Sequence, residues 1–124
     1  MNMAIVELTK SYAIASFKPH LNYHECHVSL VISQKSSLPL KMYHSRLCSI
    51  LLRTFPKDKP LVYITKWVVH PLVKNMTCQV EFDNIFPWST TSRLVDLVRK
   101  LQEEFGRNPP REHTDIDQAN GQLD

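Results

Sequence analysis

Apolar residues recur at helical spacing in two stretches of this chain, and they alternate with polar ones in much of what lies between. The clearer helical stretch runs from about Thr91 to Phe105. Leu94, Leu97, Val98, Leu101 and Phe105 form one stripe at i, i+3, i+4, i+7 and i+11. Arg93, Asp96, Arg99, Lys100, Glu103 and Glu104 fill the opposite face, so the stripe is expected to pack on a core. Ser89, Thr90 and Thr91 offer a hydroxyl cap for its first free amides. Gly106 is expected at the position just past the helix, and Pro109-Pro110 forbids its continuation. In the second stretch, residues 3–17, Ile5, Leu8, Tyr12 and Ala15 fall near helical spacing. This predicts an N-terminal helix that stops at Lys18-Pro19, because a residue before proline avoids the helical region.

Four strands are expected between these helices. His27 to Ile32 is β-branched and partly alternating, and Gln34 to Ser37 reads as a polar turn. Leu38 to Tyr43 and Arg46 to Arg53 make the next two strands, joined at His44-Ser45, and Leu61 to Trp67 makes the fourth. Pro39 must then sit at a strand start or edge. Strands in such close succession predict an antiparallel meander. Phe55-Pro56-Lys57-Asp58-Lys59-Pro60 links the third strand to the fourth, since proline cannot donate to a ladder. Residues 70–88 show no clean periodicity. They are expected to be packed by Phe82, Ile85, Phe86 and Trp88. The fold class is therefore α+β: a helix, a four-stranded antiparallel meander and a C-terminal helix. Residues 1–110 form one domain. Residues 111–124, polar and with four acids, read as a disordered acidic tail.

Composition narrows the chemistry. With 124 residues and two glycines, Gly106 and Gly121, the chain lacks the glycine-rich turn of a Rossmann or P-loop phosphate cradle. No cofactor and no nucleic-acid partner are expected. No apolar stretch is long enough to span a membrane and no secretory leader is visible, which points to a cytoplasmic protein. The odd cysteine count (Cys26, Cys48, Cys78) reads as reduced thiols. Charge is unevenly spread. Residues 10–74 hold ten Lys/Arg against two acids, Glu25 and Asp58, while residues 75–124 hold five against nine. Lys41, Arg46, Arg53, Lys57, Lys59, Lys66 and Lys74 are thus candidate contacts for an anionic surface. A solvated sheet face is the plainer reading of the same residues.

The order of signposts is more specific. His70-Pro71 follows the proline-flanked crossing, Trp88 stands eighteen residues after His70, and Phe105-Gly106-Arg107-Asn108-Pro109-Pro110 closes the second helix. This order resembles the ubiquitin-conjugating (E2/UBC-like) fold. Active members carry His-Pro-Asn, a catalytic cysteine ten residues after that histidine, and a tryptophan eight residues further on. Here the cysteine position falls on Val80 and the asparagine position on Leu72. Val80 offers no thiolate for thioester transfer, and Leu72 has no side-chain donor for an oxyanion. The chain is accordingly similar to ubiquitin E2 variant (UEV) domains.

Within that class it most resembles the N-terminal domain of the vacuolar protein sorting-associated protein 37 family, a subunit of ESCRT-I. Leu51-Leu52, Phe55-Pro56, Lys59-Pro60, His70, Leu72, Val80, the Ser92-x-Leu94 helix start and Glu104-Phe105-x-x-Asn108-Pro109-Pro110 carry this. The resemblance implies a non-catalytic binding module in the sorting of ubiquitinated cargo into multivesicular bodies. It implies ESCRT-I subunits or endosomal adaptors as partners, ubiquitin as a further ligand, and a peripheral place on late endosome membranes. An RWD-type interaction domain in another pathway is one alternative, and a divergent E2 working through Cys78 is another. Glu81 and Asp83 stand beside Cys78 and disfavour a thiolate there. His20, His24, Cys26 and His27 form the densest group of metal-type side chains. On a strand, however, His27 opposes His24 and Cys26, and no second ligand pair follows, so no metal is expected.

Overall fold

The computed structural model describes residues 3–34, 41–74 and 76–112. Helix α1 spans Met3–Thr9. Strands β1 (Ala13–Pro19), β2 (Tyr23–Gln34), β3 (Lys41–Leu52) and β4 (Leu61–Ile64) form one antiparallel sheet in sequence order. A second sheet pairs β5 (Val68–Val69) with β6 (Arg111–Glu112), and helix α2 spans Leu94–Arg107. The expected α+β class, terminal helices and four-stranded meander are all present.

The strands are not quite those expected. Residues 13–17 belong to β1 and not to the N-terminal helix, which ends after two turns. Ile14 and Phe17 pack on the core while Ala13 and Ala15 face outward, and a bulge between Ile14 and Ser16 brings Phe17 onto the inner face. The helical reading of Tyr12 and Ala15 loses because β2 needs a ladder partner on this edge, and ladder bonds outweigh a weak local preference. The two strands expected on either side of His44-Ser45 are one. His44 and Arg46 point outward, Leu47 is buried, and no glycine or proline interrupts the alternation. Gln34, expected in the polar turn, is the last residue of β2, while the rest of that turn and Pro39 lie outside the described residues. The fold extends two residues past the expected boundary, since Arg111–Glu112 pairs with Val69 and Val68. The remainder of the expected tail lies outside the described residues.

The core lies between the inner sheet face and the helices. Cys26, Val28, Leu30 and Ile32 of β2, with Leu47 and Leu51 of β3, meet Leu94, Leu97, Val98, Leu101 and Phe105 of α2. The expected stripe is buried throughout. Each such side chain contributes about 1.5–3 kcal/mol by leaving water. Tyr43 reaches from β3 and donates its hydroxyl to the Phe105 carbonyl at 3.1 Å, and burial pushes that phenol up to about 12. Ile5 and Leu8 anchor α1 to the same core, while Arg93 bonds Glu7 through Nε and Nη2 at 2.9 and 2.6 Å. Both partners are exposed, so the pair fixes orientation more than it adds stability.

The ends of α2 differ from expectation. Its N-cap is Arg93 with no side-chain cap, while Ser92 Oγ accepts from the Ser89 amide at 2.9 Å in the preceding turn. Gly106 is inside the last turn and has no positive φ. It is glycine for another reason: a Cβ there would stand 2.8 Å from the Ser33 carbonyl oxygen of β2. Gly106→Ala gains about 1 kcal/mol of helix propensity. It loses more by pushing a helix off a backbone atom that cannot rotate away, a cost of about 1–3 kcal/mol. Urea unfolding is expected to show net destabilisation, and a stabilised variant would refute the close approach.

Candidate functional site

The signposts of the second half meet in space. His70 is 6% exposed and sits edge-on to Phe105, ring centroids 5.0 Å apart. Its Nε2 donates to the Asn108 carbonyl at 2.7 Å, and its Nδ1 accepts from the Leu72 amide at 3.1 Å. A carbonyl can only accept and an amide can only donate, so the pair of bonds selects the neutral ring protonated on Nε2. Burial lowers the His70 pKa, and a second ring proton would point at the Leu72 N–H. This histidine therefore ties the end of α2 to the start of the irregular segment.

That segment is held as expected, by its own backbone and side chains. The Val73 amide bonds the His70 carbonyl, the Lys74 amide bonds Gln79, and the Glu81 amide bonds Leu72. Phe82 is buried, with Ile85, Phe86 and Trp88 packed against the core. Trp88 Nε1 donates to the Pro56 carbonyl at 2.8 Å and the Phe55 and Trp88 rings lie 5.6 Å apart, so the proline crossing and the tryptophan form one unit. The peptide bond between Phe55 and Pro56 is cis. Beside this unit, Met3, Ala4, Glu7, Pro56, Arg93 and Leu94 line an open cavity of about 340 Å³.

Val80 is 2% exposed. Its amide donates to the Val62 carbonyl of β4 at 2.7 Å, and it bridges to Val73. Its apolar side chain is packing material, as is that of half-buried Leu72. Cys78 is half-buried against the core with φ of 59°, and its amide and carbonyl are bonded to Lys74 and Ile64.

The basic candidates do not form a single patch. Lys59 bonds Asp83 at 2.7 Å and lies 5.5 Å over the Phe82 ring, and Lys74 pairs with Glu81 at 3.1 Å. Arg46 and Lys66 line one shallow cavity with Ser29, His44, Ser45 and Thr65. Arg53 lies beyond the other end of β3, roughly 20 Å from Arg46 along the strand. Lys57 is exposed in the crossing, and the side chain of Lys41 lies outside the described set.

All three cysteines are free thiols. Cys26 faces the core, where burial pushes it up to about 11. His27 faces the other way, as strand alternation requires. The four-residue cluster read from the sequence is therefore divided between two faces. The outer face assembles a different group. Glu25, His27 and Cys48 each present a donor atom, all within 4.8 Å of one another. The 25–27 spacing was visible in the sequence, but the partnership with Cys48 depends on the β2–β3 register, in which His27 stands opposite Cys48.

Comparison with known proteins finds no family model and no curated protein that matches this chain. Among the described residues no helix is long and apolar enough to cross a membrane.

Proposed function

We propose that this chain is a non-catalytic binding module of the ubiquitin E2 variant type, an ESCRT-I-related subunit acting in the sorting of ubiquitinated cargo at late endosome membranes. One observation carries the reading. In a frame set by His70-Pro71 and Trp88, the position that needs a solvent-reachable thiol is Val80, a buried residue hydrogen-bonded to β4. A side chain spent on packing cannot serve as a nucleophile. The α+β layout, the Trp88–Pro56 unit and the His70 hub support the same reading. A module of this type works by presenting surface, and its partners are ESCRT-I subunits or endosomal adaptors, with ubiquitin as a further ligand.

The test is an NMR titration of the isotope-labelled chain with ubiquitin and, separately, with purified ESCRT-I core subunits. Localised, saturable shifts with at least one of them are the expected result. Silence toward both would sink the proposal. Formation of a ubiquitin thioester lost in Cys78→Ser would replace it with the divergent-enzyme reading.

A further inference from the structure

The outer face of the sheet carries a set of side chains that neither the core nor the proposed binding role uses. Glu25 and His27 alternate with core residues of β2, so both point away from the interior. Cys48 is the cross-strand partner of His27 on β3 and therefore projects beside it. His27 Nε2 donates to Glu25 Oε2 at 2.7 Å. The other carboxylate oxygen lies 3.6 Å from His20 Nε2, and His20 is stacked on Tyr23 at 4.4 Å between ring centroids. Glu25 and His27 are half-buried, with side-chain exposures of 22% and 20%, while His20 is exposed at 38%.

We propose that Glu25, His27 and Cys48 form a binding site for a divalent transition-metal ion, zinc by preference, with the fourth coordination position open beside His20. The donor set is one thiolate, one imidazole and one carboxylate, the types that zinc takes in tetrahedral sites. The donor atoms already lie within 4.8 Å of one another. Tetrahedral ligand spheres need them somewhat closer, a closure left to side-chain rotation on the two-strand ladder. The charges also balance: a carboxylate and a thiolate neutralise a divalent cation.

The proton bookkeeping is simple. The Cys48 thiol proton leaves to solvent as the sulfur–metal bond forms. The proton that His27 Nε2 shares with Glu25 passes to Nδ1 of the same ring as the metal takes its place. No electron changes hands.

Cobalt and zinc salts, added to the metal-free reduced chain, test this. Cobalt(II) is expected to bind one ion per chain, with tetrahedral ligand-field bands and a near-ultraviolet thiolate charge-transfer band. Zinc(II) is expected to displace it and to raise the melting temperature. Cys48→Ser should abolish the charge-transfer band, whereas Cys78→Ser should keep it. His27→Gln preserves the thiol and should weaken zinc binding by at least about 100-fold, the upper end of what even outer partners of a metal site cost. His27→Gln also keeps the test decisive if Cys48→Ser fails to fold. Absence of a charge-transfer band, or one that survives Cys48→Ser, would overturn the assignment.

Discussion

Phe105→Ala is expected to lower the unfolding free energy by about 3–5 kcal/mol, the range for truncating a buried aromatic side chain. Phe105 is fully buried at the meeting point of α2, His70 and β3, and its own carbonyl holds Tyr43. Truncation opens a cavity under the His70 ring and removes its edge-on partner. The helix backbone and the sheet ladder around it cannot collapse inward to fill the space. A domain of this size has about 5–15 kcal/mol in total, so the variant should sit near the threshold of folding at ordinary temperature. Urea or thermal unfolding followed by circular dichroism measures the change. A loss below about 1 kcal/mol would mean that Phe105 is not in the core.

The second large effect belongs to His70. His70→Ala leaves the Leu72 amide and the Asn108 carbonyl without their partner, and each of these part-buried bonds costs about 1–2 kcal/mol when lost. The expected loss is about 2–4 kcal/mol. His70→Gln keeps one acceptor and one donor on a side chain that does not titrate, so it should lose less.

The two variants also isolate a pH effect. In the folded protein burial holds His70 below its ordinary value of 6.5, while in the unfolded chain it titrates normally. Between the two values the unfolded state binds more protons, so stability rises with pH across that window. The contribution is whole above pH 6.5 and is lost as pH falls through the lowered folded value. Unfolding free energies measured between neutral and mildly acid pH should fall more steeply for wild type than for His70→Gln. Equal slopes would show that the ring is already charged or solvated in the fold.

Much of the architecture was legible in the sequence alone. The α2 stripe was readable because five apolar side chains at helical spacing admit only one face. The meander was readable only in outline, because β1 was read as helix and β3 as two strands, while the irregular 70–88 segment was readable from its aromatics. The extent of α1 was not. Residues 13–17 suit either state locally, and the open edge of β2 decided for a strand. The role of Gly106 was hidden for a similar reason: a glycine at a helix end usually sets a turn, and only the proximity of Ser33 shows that it sets a packing distance.

The sequence by itself determined the five-residue stripe buried on α2, though not the burial of Val95 and Gly106, that three cysteines share the chain, and that Val80 stands ten residues after His70. These are properties of spacing along one chain, and spacing is local information. Tertiary structure alone decided that His70 is held neutral by α2 and Leu72, that Lys59 and Lys74 are neutralised by Asp83 and Glu81, and that Cys48 stands beside His27. Each depends on which strand lies next to which and in what register. A one-residue slip would turn Cys48 into the core and dissolve the cluster.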